Sequence, residues 1–235
     1  DRSAIILVSP PPPEPQNPPQ PTPIATISIS STSDLSVDNI RTEGGEVSMS
    51  ASGLITTHGV DSNGYGISFT SDDITIDGQI NAGTSADPFE PATISFYTHE
   101  TNEWQQTVNK PIYVGNYVGE EATGKYVIDN TETALLSADS IQVGQQAFGE
   151  FGPQGQSEPI YIKDVVMNSV NDINFNTTGT VYLVDEDEAN GALKVGNGTG
   201  YPSVSIGASN VNTFGCADRS AIILVSPPPP EPQNP

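Results

Sequence analysis

Cysteine is almost absent. The 235 residues contain one, Cys216, so an internal disulfide framework and a cysteine-based zinc site are both excluded. Basic side chains are scarce as well. Seven Lys+Arg stand against 29 Asp+Glu, for a formal net charge of -22. Such a chain repels phosphate backbones, and no nucleic-acid binding is expected. Long apolar runs are missing. The longest, Ala221-Ile222-Ile223-Leu224-Val225, stops at Ser226, far short of the roughly 20 residues a membrane-crossing helix needs. No membrane insertion is expected. Hydrophobic residues make up 34% before the 22 Gly are counted; with Gly included the fraction is still somewhat below the about 45–50% usual for globular domains. Low hydrophobicity reads as disorder when it stands alone. Here Val, Ile, Thr and Tyr recur in short alternating runs, which disordered chains lack. There is no start Met and no basic-then-apolar leader; in an internal window of a longer chain that says nothing about secretion.

What is present begins with a repeat. Residues 1–18 and 218–235 both read DRSAIILVSPPPPEPQNP, identical over 18 positions at an offset of 217. Catalysis gives no reason for the same peptide at both ends. The sequence reads as a window slightly longer than one period of a tandem array, with residues 218–235 as the start of the next repeat. Residues 1–23 then form a junction strand and linker. Nine prolines crowd into residues 9–23. Proline fixes φ and has no N–H to donate, so a polyproline II spacer is expected at about 3.1 Å per residue. A ligand for a proline-binding groove is the alternative.

Beyond the linker the composition changes. Ile24, Ile27 and Ile29 open a strand; Leu35, Val37 and Ile40 follow, then Val47, Met49 and Ala51, then Ile55. Ile67, Phe69, Ile74, Ile76 and Ile80 continue at period two, with Gly, Asn, Asp and Ser between. A longer period of 25 is suggested by Met49, Ala51, Gly53 and Ile55 against Ile74, Ile76, Gly78 and Ile80, and by Phe69 against Ile94. Constant spacing of apolar positions is what a β-solenoid requires, since each coil stacks its inward side chains on the one below. A thin solenoid also needs few apolar residues.

The run from Ala25 to Gly83, with LSVDNIRTEGGEVSMSASGLITTHG within it, resembles the repeats of filamentous-haemagglutinin-like exoproteins. The resemblance covers residues 24–82 well, and 134–215 more loosely. It implies a right-handed parallel β-helix on a secreted adhesin or surface fibre, an extracellular or cell-surface location, and no catalysis. The stretch 84–133 departs from the pattern. It holds the only Trp, Trp104, with Phe89, Phe96, Tyr97, Tyr113, Tyr117 and Tyr126, and reads as irregular coils or an inserted lateral loop.

Candidate chemistry is thin. Carboxylates cluster at Asp72-Asp73, Glu120-Glu121 and Asp185-Glu186-Asp187-Glu188. Paired carboxylates can do acid–base work on sugars, but Arg2 and Arg219 are copies, leaving few independent cations. His58 and His99 have no evident Ser or Asp companion. No enzyme is expected. Asp185, Asp187 and Glu188 are the candidate calcium ligands. The run lacks an oxygen-bearing side chain at Ala189, so a solvated turn is the simpler reading and no cofactor is expected. Cys216, at the unit boundary, either closes the last coil as a small apolar residue or bridges two units. Asn176-Thr177-Thr178 and Asn197-Gly198-Thr199 match the N-glycosylation pattern.

The most apolar segment is SAIILVS, Ser220–Ser226 and its copy Ser3–Ser9. Four consecutive aliphatics suggest a strand buried on both faces, either the last strand of its own unit or one donated to a neighbour. The expectation is therefore an all-β, right-handed parallel β-helix with a proline-rich linker. Residues 24–217 make one solenoid unit of about seven to nine coils. The function expected is an extracellular filament or surface fibre whose partners are copies of itself. Assembly is assigned to Ser220, Ala221, Ile222, Ile223, Leu224 and Val225, to Ile5, Ile6, Leu7 and Val8, and to Pro10, Pro11, Pro12 and Pro13. An adhesin module that displays a surface to glycans or host cells is the alternative.

Overall fold

The computed structural model describes residues 4–7, 26–85, 91–98, 100–101, 107–117, 119–144, 157–168, 170–186, 191–196, 201–215 and 221–226. Val8, Pro10 to Pro13, His99, Trp104, Asp187, Glu188, Cys216 and Ser220 lie outside the described residues. So do Ile24 and the whole of the proline-rich stretch 9–23.

The chain is mostly strand, almost free of helix, and its strands pair in parallel apart from one short hairpin, Glu100–Thr101 with Thr107–Val108. Over residues 27–83 and again over 160–224 it visits three sets of strands in the same order, whereas Ile112–Gly115 and Tyr126–Asp129 between them are successive strands of one sheet. Ile27–Ser31, Val47–Ala51, Ile67–Ser71, Thr93–Thr98, Leu136–Val143, Val170–Asn176 and Ser203–Gly207 build the first ladder, seven rungs tall. Leu35–Val37, Leu54–Thr57 and Asp73–Ile76 start the second. It resumes as Tyr126–Asp129, Ile112–Gly115, Ile160–Lys163, Thr180–Val184 and Asn210–Phe214. The third side comprises Ala4–Leu7, Asn39–Thr42, Val60–Asp61 and Ile80–Gly83, and later Val165–Met167, Leu193–Val195 and Ile222–Leu224. One long strand belongs to two sides. Leu136–Ala138 pairs Ile80–Gly83 while Ser140–Val143 pairs the strand Thr93–Thr98. This curls an 11-stranded sheet back on itself like half a barrel.

Two inward columns hold the first ladder together. Ile27, Val47, Ile67, Ile94, Ile141, Ile173 and Val204 stand opposite one another rung after rung. Beside them run Ile29, Met49, Phe69, Phe96, Val143, Phe175 and Ile206. Between the end rungs these residues are fully buried, and Phe69 stacks on Phe96 with centroids 5.4 Å apart. Side chains alternate faces at period two, so Ser48, Ser50, Ser68 and Thr70, between them, face outward. One narrow core explains how 34% hydrophobic residues suffice.

The rung spacing corrects the period of 25. Val47 pairs Ile67, Met49 pairs Phe69 and Val60 pairs Ile80, all at an offset of 20. Ile55 pairs Ile74 at 19. Phe69 meets Phe96, and Ile94 meets Ile67. For Met49–Ile55 against Ile74–Ile80 the offset of 25 compared strands on different ladders, because every ladder carries the same apolar alternation; Phe69 and Ile94 share a ladder but stand two residues out of register. Within 84–133, Thr93–Thr98 and Ile112–Gly115 continue ladders. Among the described residues the irregular features are the hairpin, the 3-10 turn Gly119–Glu121 and the one-turn helix Asn130–Thr133.

Polar side chains tie the corners. Thr42 donates to the carbonyl of Ser62 at 3.1 Å, the Asn63 amide donates to that of Glu43 at 3.0 Å, and Asp34 accepts from the Leu54 N–H at 2.9 Å. All three span one 20-residue step. Gly78 marks how closely the corners stack: a Cβ there would overlap the His58 carbonyl oxygen.

Candidate assembly interface

The two copies of the repeated peptide form strands at opposite ends of the molecule. Ala4–Leu7 pairs Asn39–Thr42, with Ile5 opposite Ile40 and Leu7 opposite Thr42. Ile222–Leu224 pairs Leu193–Val195, with Ile222 opposite Leu193 and Leu224 opposite Val195. The register has the same phase at both ends. Ile5 and Ile222 are equivalent positions, and each faces a buried residue; Leu7 and Leu224 do the same. Ile6 and Ile223 stand opposite Arg41 and Lys194 in the register.

The ends are open. Among the described residues no strand pairs beyond Ile27–Ser31, Leu35–Val37 and Ala4–Leu7 at one end, or beyond Ser203–Gly207, Asn210–Phe214 and Ile222–Leu224 at the other. Core-facing residues there are uncovered. Val211 continues the column of Ile160 and Val181, yet it is 48% exposed. Leu224 is 46% exposed. Ile222 and Ile223 are half-buried, which corrects the expectation that this strand is buried on both faces. One edge of it is paired and the other is open. Unpaired edges with apolar rims are templates for further strand addition.

Outside the ends, an aromatic file runs along the second ladder. Tyr113, Tyr161 and Tyr182 stack at 4.6 and 4.7 Å with their planes nearly parallel, and Tyr182 meets Phe214 at 6.0 Å. Tyr117 sets its edge on Tyr113 at 5.0 Å. Rings stacked this way use their faces on each other and present edges to solvent, a poor platform for stacking a sugar. Burial raises the phenol pKa values of Tyr113, Tyr117 and Tyr161 above the ordinary value. Sequence reading missed this file, although Ile-Tyr-Val at 112–114, Ile-Tyr-Ile at 160–162 and Val-Tyr-Leu at 181–183 signal it.

Lys163 caps the same face, a tenth exposed, 2.9 Å from Glu186 and 3.3 Å from Glu121. Burial pulls its pKa down, but the two carboxylates outweigh that and hold the ammonium above its usual value.

The carboxylate candidates serve the fold. Asp72 pairs with Lys110 at 2.6 Å. Asp73 accepts from the N–H groups of Ile74 and Val127 at 2.9 and 3.3 Å. Glu132, missed in the sequence, accepts from Ile76 at 2.8 Å and from Asp129 at 2.9 Å, and with Asp129 forms a capping box. These two acids bridge the break in the second ladder between Asp73–Ile76 and Tyr126–Asp129. Burial raises both pKa values, and that of Glu132 is pushed up to about 7.

Of the calcium candidates only Asp185 is described, and it is buried; no group of three His, Cys, Asp or Glu among the described residues could hold a metal. His58 lies 3.6 Å from Asp38 and 3.8 Å from Asp77. It borders a shallow groove of about 360 Å³ on the third side, lined by Asn39, Arg41, Asp61, Gln79 and Asn81 among others. No described helix is long and apolar enough to cross a membrane, which leaves β-barrels unaddressed. No family model, curated protein or solved structure matches the chain.

Proposed function

We propose that this chain is a structural repeat unit of an extracellular filament or surface fibre. In this reading the three ladders form a right-handed parallel β-helix of the filamentous-haemagglutinin-like kind, without catalysis. Units follow one another head to tail through the strand Ala221–Val225, its copy at residues 4–8, and the proline-rich segment. The observation that carries it is the placement of one peptide at both ends, in one phase, on two open edges. The acidic outer face supports solubility and spacing of such fibres, because like charge opposes lateral aggregation. The test is the mass of the intact native chain under denaturing, reducing conditions. A mass of several hundred kilodaltons, cut by protease into steps of 217 residues, is expected. A mass near 24.7 kDa would replace the covalent array by separate subunits.

The second reading is an adhesin module that binds a glycan or host surface. The polar groove beside Arg41 and His58 favours it. Saturable binding on a glycan screen, lost in Arg41→Ala, would establish it; no binding would leave the fibre alone.

A further inference from the structure

The geometry points to one strand shared by two units: the AIIL segment serves as the last rung of one unit and the rung before the first of the next, pairing a neighbour on each edge. This inference rests on the fibre reading above and names its interface. The partner is a second copy of the unit, and the contact is a ladder continued through the joint.

Backbone direction carries the argument. In a parallel ladder the N–H and C=O of successive residues point to alternate sides. At one end, Leu193 donates to the carbonyl of Ala221 at 3.1 Å, and Val225 donates to the carbonyl of Val195 at 2.9 Å. The groups of Ala221, Ile223 and Val225 are therefore spent on Leu193–Val195, and those of Ile222 and Leu224 face the open edge. At the other end, Ile40 donates away from the terminal strand, to Gly59 at 3.0 Å. Asn39 and Arg41 therefore face that strand, and the register with Ile5 opposite Ile40 assigns their partners to Ile5 and Leu7. Ile5 and Leu7 are the copies of Ile222 and Leu224. The two copies thus use opposite edges and complementary sets of backbone groups. A single AIIL strand satisfies Leu193–Val195 below and Asn39–Thr42 above with no group used twice.

The order of visits also fits. The chain passes Ser203–Gly207 on the first ladder, Asn210–Phe214 on the second and Ile222–Leu224 on the third side. The copy Ala4–Leu7 also lies on the third side and precedes Ile27–Ser31 on the first. One shared strand therefore closes one circuit and hands the chain to the next, with the intervening proline-rich residues as an excursion that cannot join the ladder. The uncovered Val211 and Leu224 then lie beneath the first rungs of the next unit. In the 235-residue chain each joint has two copies for one place, so the copy already paired at an end blocks a neighbour's copy and assembly is opposed.

The test disables copies in the full chain. Asp set opposite buried residues of the neighbouring rung cannot itself be buried unpaired. Ile222→Asp with Leu224→Asp should free the edge of Leu193–Val195, and Ile5→Asp with Leu7→Asp that of Asn39–Thr42. Either pair should convert a monomer into a series of multiples of 24.7 kDa in sedimentation velocity. The unchanged chain and the fourfold variant should stay monomeric. Deletion of residues 1–8 provides the same test where an Asp pair perturbs folding, which circular dichroism would reveal. Hydrogen exchange adds a readout that plain apolar stacking would not move. In the polymer formed when Ile5→Asp with Leu7→Asp, or deletion of residues 1–8, disables the other copy, the amides of Ile222 and Leu224, which exchange freely in the unchanged monomer, should become protected, while that of Val225 is protected in both. Equal assembly by the fourfold variant would overturn the shared strand and leave the fibre reading intact. Absence of assembly in both single-copy forms would also overturn it, and the native mass would then decide the fibre reading independently.

Discussion

Residues 27–83 and residues 160–224 build the same three sides with different economy of chain. In the first region every step between rungs takes 19 or 20 residues. In the second, Ile160 reaches Val181 in 21, Ile173 reaches Val204 in 31, and Leu193 reaches Ile222 in 29. The extra residues sit in connections, and the inward columns continue through both. Register is thus set by apolar residues meeting at period two, where a slip of one would turn every side chain to the wrong face. Turn length is free provided each corner satisfies its backbone. Both regions do this alike: Thr42 and Ser62 hold carbonyls one rung on, and Thr177 and Ser209 hold those of Glu158 and Thr178 at 2.8 and 2.6 Å.

The sharpest way to break the comparison is in the shared column. Phe69→Ala should cost about 3–5 kcal/mol, the usual range for a buried Phe, because Met49 and Phe96 lie directly on either side of it. Phe175→Ala should fall at the lower end of that range, since its neighbour Ile206 is only half-buried and can relax into the gap. Urea unfolding of both variants measures the difference; equal losses would mean that the end rungs are as rigid as the middle.

The seam between the regions should respond to pH. Glu132 has a folded pKa of about 7 against an ordinary 4.5, so the folded state holds the proton more tightly than the unfolded one. Its contribution is fully present below pH 4.5 and is lost as pH rises through 7, about 3 kcal/mol in all. Glu132→Gln should flatten the stability profile between those values, at a cost of about 1 kcal/mol at low pH for the N–H left without an acceptor. A profile unchanged by the substitution would assign the slope to the general surplus of negative charge.

The smallest effect belongs to the aromatic file, found only on the later rungs. Tyr161→Ala removes two stacked contacts and should cost about 1–3 kcal/mol. It should also split the coupled near-ultraviolet circular dichroism of the tyrosines. A retained signal would mean that Tyr113 and Tyr182 couple without it.

Much of the strand pattern was legible. Ile27, Val47, Met49, Ile67 and Phe69 announced themselves by alternation, and the Ser and Thr between them follow from the same period of two. The pairing of those strands was not legible, because an Ile on one ladder resembles an Ile on another, and the period of 25 arose from that. Glu132 and Asp73 escaped notice as structural acids, since a carboxylate that replaces a missing strand partner has no local signature. The terminal peptide was the opposite case. Its identity was plain at once, while its two positions depended on edges that only folding creates.

The sequence by itself determined that this chain alternates apolar and polar residues in short strands, carries a large negative charge, and repeats one peptide at an offset of 217. These are properties of composition and order, and a local period of two is enough to write them. Only the tertiary structure decided which strands meet, where the second ladder breaks, and that the repeated strand presents opposite edges at opposite ends. Hydrogen-bond partners in the parallel ladders are separated by 14 to 56 residues, and no local signal names them; packing selects them by letting each inward column close without a gap.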